Sequence, residues 1–195
     1  MDTLTRQYRA QNLALRAQTI RDLQRLWPAL SYDDLARTFP AWFAGASALV
    51  TRDATRAAGL ASLYLRAHRM AAGVPGDPSV KLAGVAGEKM STALRVTTLV
   101  AIKRSTLAGK TAEQAMIDAF VQSSGAATRL VLDAGRDTVR QTAVADPRTA
   151  GWQRVTSGGC DFCRMLAGRG SVYSESTADF ESHDHCACSA QPVYL

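Results

Sequence analysis

The stretch Asp146-Pro147-Arg148-Thr149-Ala150-Gly151-Trp152-Gln153-Arg154-Val155-Thr156-Ser157-Gly158-Gly159-Cys160 divides the chain into two kinds of construction. A residue before proline is pushed out of the helical region, so Asp146-Pro147 marks a boundary. From Gly151 onward the large apolar residues Trp152, Val155, Val172, Tyr173, Val193 and Tyr194 stand in short stretches among glycines and serines, the mark of short strands. Before the boundary lie 30 of the 34 alanines, the residue that loses least on becoming helical. Residues 1–150 hold 20 basic and 12 acidic side chains, net +8, whereas residues 151–195 hold 3 and 5, net −2. All four cysteines and two of the three histidines fall between Cys160 and Cys188. The fold class that follows is mainly α. A basic, Ala/Arg-rich body of long helices covers residues 1–148, and a small C-terminal β-rich, zinc-knuckle-like module covers 149–195.

The whole-chain composition of 195 residues, 47% hydrophobic and 21% charged, is that of a soluble globular protein and excludes a disordered tail or a disulfide scaffold. The longest uncharged apolar stretch, Ala41 to Val50, is far short of the roughly 20 residues a spanning helix needs. No basic segment followed by an apolar one opens the chain, so an untargeted protein made in a reducing cytoplasm is expected, with no membrane partner. Of 23 basic residues 19 are arginine, which favours partners carrying phosphate or carboxylate.

Within the body, Leu13, Ile20, Leu23, Trp27 and Leu30 predict the buried stripe of a helix from Leu4 to Trp27, whose other faces carry Arg6, Arg9, Arg16, Arg21 and Arg25. Ser31 and Asp34 predict a helix start, with a short helix to Phe39. Pro40 suits the first position of a new helix, running from Ala41 to Ala72. Gly73-Val74-Pro75-Gly76-Asp77-Pro78 is a loop or hinge, Gly87 to Ala108 is helix, and Thr111-Ala112-Glu113-Gln114 is a capping box opening a helix towards Ala145. Ser123-Ser124-Gly125 predicts a kink or a split in that last helix, because glycine costs about 1 kcal/mol there against alanine. So much alanine and so few aromatics point either to close-packed small-residue contacts or to a body that stays extended until it meets its neighbours.

The strongest chemical signal is Cys160-Asp161-Phe162-Cys163, then 22 residues, then Cys186-Ala187-Cys188, with His183 and His185 just before. Two residues between cysteines let both thiolates turn to one point in a tight knuckle, and a second pair brought back by a hairpin can complete a zinc tetrahedron. Cys160 and Cys163 form the firm half of the set. The other half is Cys186 with Cys188, or His183 with one of them, and His185 is the weakest donor, read as exposed or as a neighbour of the site. Disulfides, a thioredoxin-like redox pair and unligated core cysteines are the competing readings. The first conflicts with a reducing compartment, and the second with a chain that does not alternate strands and helices. Four protein donors would close the site, leaving no position for a catalytic water, so zinc would act as a structural staple. A deaminase-type His-x-Glu with Pro-Cys, a Walker loop, a Gly-x-Ser-x-Gly elbow and a His-Glu-x-x-His motif are all absent from the sequence.

Gly151-Trp152, Arg154-Val155, the run Cys160-Asp161-Phe162-Cys163-Arg164-Met165-Leu166-Ala167-Gly168-Arg169-Gly170, His183-x-x-Cys186-x-Cys188 and the closing Pro192-Val193-Tyr194 together resemble one family. They are similar to the C-terminal module of the Mu F-like minor head proteins of tailed bacteriophages, of the type found in phages of actinobacteria. The resemblance is specific over about 45 residues and general over the helical body. It implies metal ligands at Cys160, Cys163, His183, Cys186 and Cys188. One departure from the family pattern, Phe180 separated from His183 by Glu181 and Ser182 rather than standing directly before it, leaves His183 and His185 both open as the equivalent histidine.

The resemblance further implies a non-enzymatic virion protein of head morphogenesis, present in multiple copies, at the portal vertex or the capsid interior. Its partners would be the portal protein, the major capsid protein or both, with sequence-independent contact to packaged DNA. With 195 residues, the bare structural form is expected rather than a fusion to an enzyme. A zinc-ribbon DNA-binding regulator is the alternative. Against it, the candidate ribbon is net −2, whereas a module that follows phosphates usually carries the positive charge itself.

Overall fold

The structure, a computed structural model, describes residues 1–156, 161–170, 180, 182–186 and 188–195. Cys160, Val172 and Tyr173 lie outside the described residues. The elements in chain order are α1 (Thr3–Leu26), α2 (Leu35–Ala71), α3 (Gly87–Arg95), α4 (Ala101–Leu107), α5 (Ala112–Ala145), β1 (Thr149–Val155), α6 (Asp161–Gly168) and β2 (Ser189–Tyr194). The mainly α fold with a small C-terminal sheet is as the sequence predicts. Short 3₁₀ turns, Trp27–Ala29 and Tyr32–Asp34, join α1 to α2, and a π-helical turn, Val96–Val100, joins α3 to α4. No helix among the described residues is long and apolar enough to cross a membrane.

α5 is the centre of the molecule: α1, α2, α3, α4 and both strands pack against it. Small residues let α2 approach it closely. Ala46, Ala57 and Ala61 of α2 and Ala115, Ala119 and Ala127 of α5 are buried in the core. At Gly135 of α5 an added Cβ would stand 3.1 Å from the backbone oxygen of Ala57 and 3.0 Å from the Tyr8 hydroxyl. Gly135→Ala is therefore expected to destabilise the protein by up to about 2 kcal/mol, since overpacking against backbone outweighs the gain of about 1 kcal/mol in helix propensity. Urea unfolding checks the sign, which is opposite to that expected at an exposed helical glycine.

Three local expectations are corrected, and one element is added. First, α2 does not break at Pro40 but runs on from Leu35, capped by Asp34, whose carboxylate accepts from the Arg37 N–H. Proline removes only the bond to the Ala36 carbonyl, and both residues are exposed, so water can take its place. Second, the buried stripe of α1 is Thr5, Tyr8, Leu15, Thr19 and Leu23, with Leu13, Ile20 and Trp27 only half-buried. The threonines can face inward because each finds partners: Thr5 Oγ1 lies 2.8 Å from the Tyr64 hydroxyl, and Thr19 Oγ1 donates to Leu15 O and to the buried Asp53 carboxylate. Third, α5 is uninterrupted through Ser123-Ser124-Gly125. Ser123 is held by Thr97 O and the Thr98 hydroxyl, while Gly125 lies under the segment that carries His185. Fourth, the segment after Cys160, for which no element was predicted, forms a short helix, α6, with Cys163 in its first turn.

The arginine side of α1 also changes character. Arg6, Arg21 and Arg25 are exposed, but Arg9 and Arg16 are half-buried, and Arg16 Nη2 lies 3.4 Å from His185 Nδ1. Asp22 accepts from Arg25 and from Arg52 of α2, and the fully buried Asp53 accepts from Arg52 and Arg56. Two carboxylates thus hold three part-exposed guanidinium groups side by side across the α1–α2 face.

The C-terminal sheet is a two-stranded antiparallel ladder in which Trp152 faces Pro192 and Arg154 faces Ala190, with an irregularity between Thr149 and Gly151. Trp152, Phe180, Cys163, Cys186, Cys188 and Ala190 form one apolar cluster with Tyr8, Tyr64, Leu65, Val139 and Ala143 from three helices of the body. The described residues of the C-terminal segment therefore share their core with α1, α2 and α5.

Candidate metal centre

Three donors converge where α6 meets the segment leading into β2. Cys163 Sγ lies 3.4 Å from His183 Nε2 and 3.8 Å from Cys186 Sγ, and the three donor atoms all lie within 4.8 Å of one another. Metal–ligand bonds of about 2.3 Å to sulfur and about 2.0 Å to nitrogen require tetrahedral donor spacings of about 3.8 Å between thiolates and about 3.5 Å between thiolate and imidazole. The observed spacings match both. These three donors could hold a metal ion.

Local structure explains the convergence. The Cys186 N–H donates to His183 O at 3.1 Å, closing a turn that brings the histidine and the cysteine to the same side. His183 Nδ1 lies 2.7 Å from Asp184 O, a contact that requires Nδ1 to carry the proton. Nε2 then presents its lone pair towards Cys163, the tautomer a metal ligand needs. The thiols are inside, Cys163 at 2% and Cys186 at 4% exposure, whereas His183 faces solvent.

Cys188 is also buried, two residues from Cys186. The hydrogen bond from Cys186 lowers the Cys188 thiol to about 7 against the opposing effect of burial, while the same bond, reinforced by burial, raises Cys186. No disulfide joins Cys163, Cys186 and Cys188 to one another.

Of the sequence-predicted donors, Cys163, His183 and Cys186 come together, Cys188 stands next to them, and Cys160 lies outside the described residues. Of the two histidines, His183 stands with Cys163 and Cys186. His185, with φ of +64°, points instead at the helical body, its ring against Gly125 and Arg16. Asp184 between them is held by Arg129 of α5 at 2.7 Å. The floor of the site is Trp152 stacked on Phe180, with ring centroids 5.5 Å apart, and Arg154 lies over the same Phe180 ring.

Sequence reasoning missed Arg136. It is 3% exposed on α5 and donates from Nη2 to Cys186 O at 2.7 Å and from Nε to Cys188 O at 2.9 Å. The available signal was an arginine inside the Ala/Gly/Val run of α5, a place where an exposed face is not expected.

Comparison with known proteins adds one finding. A family model described as the VG15 protein matches residues 2–194, the helical body and the Cys/His segment together. No curated protein and no solved structure matches the chain. Since the match covers both the α1–α5 body and the cluster at Cys163, His183 and Cys186, the chain belongs to the VG15 protein family of viral gene products and is a phage-encoded protein.

Proposed function

We propose that this phage protein is a non-enzymatic minor capsid protein of the Mu F-like type, acting in head morphogenesis at the portal or the inner capsid surface, with one structural zinc. The observation that carries the reading is the donor cluster. Two buried cysteine sulfurs and an imidazole nitrogen lie within 4.8 Å of one another, and a fourth protein donor would close the site and leave no position for a reacting water. The fourth ligand is Cys160 or Cys188. The resemblance of the residues around Cys160–Gly170, His183–Cys188 and Pro192–Tyr194 to minor head proteins supports the placement in the head, and the family's viral character agrees with it.

Contact with packaged DNA fits the distribution of charge. The body is net +8, and its pinned guanidinium groups, Arg25, Arg52 and Arg56, keep unused N–H donors at the surface. Binding to duplex DNA is expected to weaken steeply with salt, by a slope of about 0.9 per phosphate neutralised, with no preference among sequences. A titration at several salt concentrations reads both; a preferred site would instead favour the zinc-ribbon regulator. The location itself is tested on purified particles: the protein is expected in mature heads in a few copies each. Expression during infection without incorporation into virions would overturn the reading.

A further inference from the structure

We infer that Arg136 is the positioning residue of the metal centre and that, through it, metal occupancy and docking of the C-terminal segment on α5 are a single event. The inference rests on the metal reading above and goes beyond it by assigning a residue of the helical body to the site. All three guanidinium nitrogens of Arg136 are committed: Nη2 to Cys186 O, Nε to Cys188 O, and Nη1 to Asp133 Oδ1 at 2.8 Å. Its guanidinium carbon lies 5.0 Å from the centroid of Phe180. Asp133 Oδ1 also accepts from Ser182 Oγ at 2.7 Å, next to His183.

One Asp133–Arg136 pair, three residues apart on α5, thus grips the segment at both ends. It holds Ser182 before the histidine and the carbonyls of both cysteines after it. A buried cation could have been satisfied by carboxylates alone. Here two of its three contacts go to the backbone of the Cys-x-Cys pair, and a planar fork fixes the spacing of two carbonyls where an ammonium would fix one. Groups that orient metal ligands from behind typically contribute ten- to a hundredfold in affinity. By linkage, a metal that is bound better when the segment is docked holds the segment docked to the same extent.

The test uses the full chain, zinc itself as the probe and competition with a chromophoric chelator. Arg136→Met is expected to keep one zinc per chain but to bind it about 10–100-fold more weakly. Arg136→Lys is expected to fall between the two, and Arg104→Met, on the exposed face of α4, to match the unsubstituted protein. Equal affinity in Arg136→Met would overturn the inference and leave the metal reading standing, whereas absence of zinc binding in the unsubstituted protein would remove both. Melting of the unsubstituted protein, followed by the far-ultraviolet signal of its helices, keeps the test decisive if Arg136→Met does not fold. Zinc is expected to raise that transition, and less so in Arg136→Lys; zinc that binds without moving it would overturn the coupling.

Discussion

Trp152→Ala is expected to destabilise the entire chain by about 3–5 kcal/mol, the range for removing a fully buried aromatic side chain. Trp152 is completely buried, stacks on Phe180, and belongs to the cluster that joins Tyr8 of α1, Tyr64 and Leu65 of α2 and Val139 of α5 to the C-terminal cysteines. The resulting cavity would be lined by body and C-terminal segment alike. The loss should therefore appear in the helical signal, as a lower urea midpoint with an unchanged slope. Against a total stability of about 5–15 kcal/mol such a loss is large, and part of the population unfolds near body temperature. A helical transition that stayed in place while only tryptophan emission changed would show that the two parts do not share a core.

The second large effect is expected at Cys163. Its sulfur is the common neighbour of His183 and Cys186, so Cys163→Ser removes the donor around which the other two are arranged. A structural zinc supplies about 10–16 kcal/mol through four ligands, so one thiolate accounts for about 3 kcal/mol. At about 1.4 kcal/mol per factor of ten, that is a hundredfold or greater loss of zinc affinity. Chelator competition measures it, and cobalt substituted for zinc should lose thiolate absorption in parallel. In the metal-free state the same substitution should cost only the burial of a hydroxyl in place of a thiol, about 1–3 kcal/mol, and that cost should not change with zinc. The contrast between the two states separates a ligand from a packing residue. His185→Ala, by comparison, should leave affinity unchanged, since that ring faces Gly125 and Arg16.

Much of this was legible in the sequence where a local rule acts alone. The capping box at Thr111–Gln114 opens α5, Gly73–Pro78 separates α2 from α3, and Asp146-Pro147 ends the helical body. Clustering of the cysteines pointed to the segments where Cys163, His183 and Cys186 converge. What was not legible depends on partners distant in the chain. Thr5 and Thr19 read as surface residues until Tyr64 and Asp53 of α2 are seen to receive their hydroxyls. Gly125 reads as a helix breaker, yet it is the place where His185 meets α5. Pro40 reads as a boundary because its cost cannot be weighed without knowing that the lost bond faces water. The choice of His183 over His185 is set by a turn and a positive φ, neither of which spacing reveals. Arg136 acts across fifty residues of sequence on backbone carbonyls, and a carbonyl leaves no trace in residue type.

The most direct measurement is X-ray absorption at the zinc edge, with metal stoichiometry, on the full-length protein purified without added metal. One zinc per chain is expected, with a first shell of three sulfurs at about 2.3 Å and one nitrogen at about 2.0 Å, and no oxygen. A chain that retains no zinc, or a shell in which oxygen replaces one of the protein donors, would contradict a closed structural centre at Cys163, His183 and Cys186.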